Sequence, residues 1–427
     1  MNKKLVQKLH DEICQIEIID THEHLVNRQM LEALGFDLAH AIELGYLKDD
    51  LLALGMDENH ILNSGPDTDA VIGSLVPLLK QTRNTTYYQS LFAALRDLHG
   101  LKDDELDPGN LRAVSESIME AYAREDWYDH VIRERCNIKC MLRDLGYMLF
   151  DDDFVIPITR MDGWLMLRHR RLLEDWIERA APVNAPYVPE AEYNGKVHNL
   201  DDYLGLIEAD FGKAREFGSV GIKIGIAYER TLEFERVSID DANRAFDLPD
   251  EKTTWADIKR FQDFVFFNII ENAARHGLPV QIHTGILAGG KSVLANTNPL
   301  HLSNIFLEFP DTRFDVFHGG FPFMGEMGSL ALMFPNVHLN TVWVSLISYA
   351  GFKRAFSEWL CYVPAGKFMW GGDSHFAEEI YGAVCGVRKA LSEVLAEKIE
   401  GGLFDEELAL MVANGILHDN AQRLFKI

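Results

Sequence analysis

Short runs of β-branched and aromatic residues, each breaking off at a polar or glycine-rich turn, alternate along the chain with longer stretches in which apolar residues return at helical spacing. The runs predict eight strands: IEIIDTH (16–22), IKCMLRD (138–144), FVIPITRMD (154–162), SVGIKIGIA (219–227), LPVQIHTG (278–285), TRFDVFHGG (312–320), NVHLNTVWV (336–344) and KFMWGGDS (367–374). Helical periodicity follows most of them, over 164–180, 200–217, 254–276, 299–309, 322–334, 351–361 and 376–398. Strands alternating with helices imply βα units around a parallel sheet. A nucleotide-binding open sheet would carry a glycine fingerprint after its first strand, and IEIIDTHEHL has none. The pattern therefore predicts an α/β fold, a (β/α)8 TIM barrel.

Two stretches exceed a minimal barrel. Residues 27–125 carry helical segments such as MLEALGFDLAHAIEL, DAVIGSLVPLLKQ and YYQSLFAALRDLHG, far too much for one βα loop. They read as a helical insertion after strand 1 on the catalytic face, which leaves 1–26 and 126–427 as the barrel domain. The segment 182–200, with three of the fourteen prolines, reads as an ordered loop over the barrel wall. From about 404 the chain closes with helical segments expected on the barrel's outside.

Charge narrows the function classes. The 41 basic and 66 acidic side chains give 41 − 66 = −25, the wrong sign for gripping nucleic acid or an anionic membrane surface. An anionic ligand would need a local cluster of Arg or Lys. No run of about 18 apolar residues is present, and the first twenty residues read as a short amphipathic helix entering a strand, with no export signal. Five scattered cysteines suit free thiols in a reducing compartment, so a cytoplasmic location is expected.

In a parallel barrel the active-site face lies at the C-terminal ends of the strands. Read in order, those ends carry His22 and His24, then Arg143, then Arg160, then Lys223, then His283, His318, Trp343 and Asp373. His22 and His24, one residue apart on a strand, project the same way, and neutral imidazoles at that spacing can chelate one ion. His-x-His alone is weak. Its weight comes from His283, His318 and Asp373 falling independently at three other strand ends.

These motifs, IIDTHEHL, QIHTG, VFHGGFP, MWGGDSHF and the tail ILHDNAQRLF, resemble the amidohydrolase superfamily of metal-dependent barrels, and more narrowly its amidohydrolase-related branch. The resemblance covers about 16–24 and 138–427 and leaves the helical insertion aside. It implies that His22, His24, His283 and Asp373 bind a divalent metal with His318 close by. Three imidazoles and a carboxylate suit zinc, and also manganese or iron. Asp373 is then the expected general base and acid, and His318 the group that polarises the reacting carbonyl. A second ion on His318 is the alternative. The superfamily offers Lys223 two roles, a carboxylated bridge between two metals or a plain structural or substrate contact; neutralising buried acids is the simpler reading.

Arg143 and Arg160 carry forks that suit a carboxylate, and they equally suit pairing with Asp144 and Asp162. Tyr228, Trp164 and Trp343 are candidates for the pocket wall, and packing explains each as well. His375 either reaches substrate or is a loop histidine without a role, and Cys136 and Cys140 read as buried thiols. GILAGGKS (285–292) matches a phosphate-loop pattern literally, yet its strand already carries His283, and it reads as a barrel loop.

The expected activity is a metal-dependent hydrolase cutting a C–N or C–O bond in a small, anionic compound. A decarboxylase on the same barrel is one alternative, and a catalytically silent binding protein is another. A sugar isomerase similar to uronate isomerase is a third, prompted by DTHEHL before a large helical insertion; VFHGGFP stands against it. Barrels of this sort are commonly homo-oligomers, an analogy at the level of fold.

Overall fold

The computed structural model describes residues 2–63, 68–103, 105–107, 109–144, 153–166, 168, 197–289 and 292–427. Every predicted run contains a strand: β1 (Ile18–Glu23), β2 (Ile138–Arg143), β3 (Val155–Pro157), β4 (Thr159–Arg160), β5 (Ile222–Ile224), β6 (Val280–Ile282), β7 (Phe314–Val316), β8 (Val337–Asn340) and β9 (Phe368–Met369). The third run divides into β3 and β4 after Pro157, which has no N–H to give a ladder.

Most predicted helices form, among them Leu200–Glu216, Trp255–His276, Met324–Met333, Tyr349–Trp359 and Ala377–Glu400. Trp255–His276 shows why the bounds were readable. Thr254 and Asp257 make a reciprocal capping box at its start, and Gly277 takes a left-handed φ of 65° at its end. Sequence reasoning missed Ile239–Asp247, whose cap is Ser238 accepting from the Asp241 N–H. The expected helix at 164–180 begins as Asp162–Met166; its remainder and most of the loop 182–200 lie outside the described residues, as do Gly290 and Lys291. After Ser292 the chain makes the 3-10 turns Leu294–Thr297 and Pro299–Leu302, where a phosphate loop would start a long helix.

The chain forms two compact units: 1–141 with 288–290 and 341–420, and 142–287 with 291–340 and 421–427. In the first, the helices of 27–125 share a unit with β1, β9 and helix Ala377–Glu400. Lys3–Ile13 and Thr86–His99 both pack on that long helix. Gly382 permits the second contact, since a Cβ there would lie 2.6 Å from the Ser90 carbonyl oxygen. All five cysteines are free, with Cys136 and Cys140 buried.

In the second unit β4, β5, β6, β7 and β8 are neighbours in that order and run parallel. Ile222, Val280, Phe314 and Val337 stand in one register row and are fully buried. One residue further on, Arg160, Lys223, Gln281 and Asp315 form the next row, also buried. With a period of two, that row faces opposite to the apolar one. His283, two residues beyond Gln281, continues on the polar face.

Candidate active site

In the first unit the end of β1 and the segment after β9 continue to pair beyond their formal strands. Asp373 N donates to His22 O (2.9 Å), His24 N to Ser374 O (3.0 Å) and Val26 N to His375 O (2.8 Å). That pairing sets Asp373 beside the two histidines. His22 Nε2 and His24 Nε2 are 3.3 Å apart, and Asp373 Oδ1 lies 3.5 and 3.2 Å from them. All three donor atoms fall within 4.8 Å of one another, and they form the cluster of metal-ligating type found among the described residues. Ligand bonds of about 2.1 Å separate adjacent corners by about 3.0 Å in an octahedron and about 3.4 Å in a tetrahedron. Two imidazole nitrogens and a carboxylate oxygen at these spacings fit a divalent ion.

Two further acids hold this loop. Asp20 accepts from Gly372 N (3.1 and 3.2 Å) and from His22 N (3.1 Å), and Glu23 accepts from Ser374 N. The backbone on both sides of Asp373 is thus clamped to β1, and any side chain at Gly372 would run into the Glu23 carboxylate. Burial pushes the Asp20 carboxyl up to about 7, and burial together with the Asp20 charge pushes Glu23 well above the ordinary range.

Around the cluster, the Tyr46 hydroxyl donates to Asp373 O (2.6 Å) and its ring centroid lies 4.5 Å from that of Trp343. His375 stacks on His24 at 5.6 Å, with Nδ1 3.1 Å from Glu379 Oε2. Glu379 also accepts from Tyr46 N (2.9 Å). Tyr46 and Glu379 were not found from the sequence. The four-residue spacing from His375 to Glu379 at a helix start was a usable signal for the latter; Tyr46, inside the helical insertion, offered none.

In the second unit His318 Nε2 is 3.1 Å from His283 Nδ1, and His283 Nε2 is 2.9 Å from Ile286 O. A carbonyl can only accept, so Nε2 of the neutral His283 ring carries the proton and Nδ1 accepts from His318. Tyr228 meets His283 edge-on at 4.7 Å. Lys223 Nζ lies 3.3 Å from the Phe317 ring centroid, and its charge lowers the carboxyl of Asp315. Burial outweighs it and holds that carboxyl at about 7, with Gln281 and Asn340 donating to Oδ2 at 3.1 and 3.0 Å.

Arg160 is held by Asp162 (3.0 Å) and Asp144 (3.3 Å), the pairing alternative to a substrate clamp. Arg143 is buried at the end of β2, and Trp164 donates to Asp210 at 2.8 Å.

Backbone strain marks several of the same positions. Among the described residues, non-glycine residues with positive φ are Asn137, His318 (61°), Trp343 (67°), Asp373 (62°) and Lys426. Three of them are strand-end residues singled out for their chemistry. A left-handed conformation costs roughly 1–2 kcal/mol for such side chains and is an outlier for a tryptophan. It persists where the surroundings fix it, as the Asp20 and Glu23 clamps do for Asp373.

The amidohydrolase family profile matches residues 231–427. Protein fluG of Emericella nidulans is 32% identical over 152 residues, which are 35% of this chain and 17% of the fungal protein. The uronate isomerase of Thermotoga maritima superposes with a TM-score of 0.79 at 15% identity, covering 100% of this chain and 98% of that one. The glucuronate isomerase of Caulobacter crescentus gives 0.78 at 17% identity, covering 99% and 94%. The fold is that of the (β/α)8 barrels, with the helical insertion after the first strand. Residues 231–427 are matched to the amidohydrolase family, and along its length the chain shares the fold of uronate isomerases.

Proposed function

We propose that the protein is a metal-dependent hydrolase that cleaves a C–N or C–O bond in a small, carboxylate-bearing compound. The observation that carries this reading is the convergence of His22 Nε2, His24 Nε2 and Asp373 Oδ1 within 4.8 Å. His22, His24 and Asp373 would hold the ion, joined by His283 once its Nδ1 gives up the hydrogen bond from His318, and zinc suits the donor set best, with manganese or iron as alternatives. Bound there, the ion supplies Lewis acidity and lowers the pKa of a water.

The chain's own residues do the rest. Asp373, its backbone carbonyl fixed by Tyr46, takes the proton of the attacking water and returns it to the leaving group. His318 donates from Nε2 to the reacting carbonyl oxygen, the proton it shares with His283 in this structure. Arg143 is assigned to the substrate carboxylate, with Tyr228 and Trp343 as walls. Arg160, engaged by two acids, holds the loops, and Lys223 neutralises the buried Asp315.

A second reading is isomerisation of a uronate, supported by the fold shared with two such isomerases over nearly the whole chain. One experiment separates the readings. Metal-loaded protein is incubated in oxygen-18 water with carboxylate-bearing amides, esters and lactones, and with hexuronates. Oxygen-18 in the product is expected; ketose formation at constant mass identifies an isomerase, and released carbon dioxide a decarboxylase. Among the described residues no helix is long and apolar enough to cross a membrane. A cytoplasmic, homo-oligomeric enzyme completes the proposal, with light scattering as the check on assembly.

A further inference from the structure

A groove of about 620 Å3 opens in the first unit between the end of helix Lys3–Ile13, the π-helical turn Asp129–Arg135 and helix Ala377–Glu400. The long helix contributes Tyr381, Val384, Cys385, Arg388 and Lys389, a spacing that puts all five on one face.

Arg388 is 7% exposed. Its Nη2 caps two helix ends, donating to Cys136 O (2.6 Å) and Cys14 O (3.4 Å). Its buried Nε has no hydrogen-bond partner, and no carboxylate among the described residues pairs with the guanidinium. Leaving such a donor unsatisfied costs on the order of 1–3 kcal/mol.

Two more cations border the groove: Arg135, with no carboxylate paired to it among the described residues, and Lys389, whose charge helps to hold the Glu393 carboxyl below its ordinary range. Arg135 lies over the Tyr381 ring at 5.5 Å and donates to its hydroxyl (3.3 Å), and Lys389 Nζ is 5.2 Å from the Tyr349 ring centroid. The carboxylate in the lining, Glu134, is engaged by His130 at 2.9 Å. The chain's net charge is −25, so this cluster of cations has the opposite sign to the chain as a whole.

We propose that the groove binds a small oxyanion of the phosphate-ester class, with the guanidinium groups of Arg388 and Arg135 on phosphate oxygens and Lys389 as a point charge. Three cationic groups match the three terminal oxygens of a tetrahedral dianion better than the two of a planar carboxylate. None of these residues belongs to the proposed reaction, so the site stands apart from the hydrolase reading.

Calorimetric titration of the metal-loaded protein with inorganic phosphate, pyrophosphate and citrate tests it. Saturable binding of pyrophosphate is expected, weakened at least about tenfold by Arg135→Ala with Lys389→Ala while metal content is unchanged. Arg388→Lys, which keeps the charge and loses the fork, is expected to weaken it as well. Should that variant fail to fold, the two surface substitutions still decide. Equal affinity in the wild type and the double variant overturns the site. So does binding that is lost in Asp373→Ala but kept in the double variant, which would place phosphate on the metal cluster. Citrate binding more tightly than pyrophosphate overturns the ligand class.

Discussion

In the first unit two imidazole nitrogens and a carboxylate oxygen crowd one point at 3.2–3.5 Å. In the second, the two imidazoles meet at 3.1 Å, and the other nitrogen of His283 is on a backbone carbonyl. The first arrangement, with both imidazoles neutral, sets like acceptors against each other, and a shared cation would stabilise it. The second is a hydrogen-bond chain whose tautomers are fixed by a partner that can only accept. Its neighbours follow the same rule: Arg160 is divided between two acids, and Asp315 accepts from two amides. The contrast separates a region built to hold charge from one built to hold orientation.

The largest expected effect breaks the first region. His22→Ala or Asp373→Asn should lower turnover by more than about a thousandfold, because water activation and positioning are lost together. Elemental analysis should show the roughly one ion per chain of the wild type lost as well. Full metal content in both variants would end the distinction between the two regions.

Next is Arg160→Met, which leaves Asp144 and Asp162 buried without their cation and should cost about 3–5 kcal/mol of stability in urea unfolding. A raised KM with unchanged stability would return Arg160 to the role of substrate clamp. His318→Ala should reduce kcat by about 10²–10³ with metal retained. Loss of metal there would make His318 a ligand and merge the two chemistries.

The smallest effect concerns pH. Burial raises the folded Asp315 carboxyl to about 7 from its ordinary 3.8. The folded chain therefore binds the proton more tightly than the unfolded chain does. That contribution to stability is complete below about pH 4 and is lost as pH rises through about 7. Asp315→Asn removes the loss, so the variant should gain on the order of 2 kcal/mol relative to wild type between pH 5 and pH 8. Parallel stability curves over that range would show that Asp315 does not titrate there.

Much of this was legible before any coordinates. His22, His24, His283, His318 and Asp373 are visible as strand-end residues because strand periodicity and turn chemistry are local signals. Trp255–His276 was readable because its caps are written beside it. The Asp20 and Glu23 clamps were not, because their partners, Gly372 and Ser374, lie some 350 positions away. Tyr46 escaped for the same reason, since its bond to the Asp373 carbonyl spans 327 positions. The polar row of Arg160, Lys223, Gln281 and Asp315 needed a register that no single strand encodes.

Residue order alone determined the alternation of strand and helix, the acidic charge and the chemical character of each strand end, since these depend on neighbours a few positions apart. Only the tertiary structure decided which donors meet, which arginine is already occupied and which nitrogen of His283 carries the proton. Those outcomes rest on distances of about 3 Å between residues remote in sequence, and hydrogen bonds and ion pairs fall off too steeply with distance for composition or spacing to specify them.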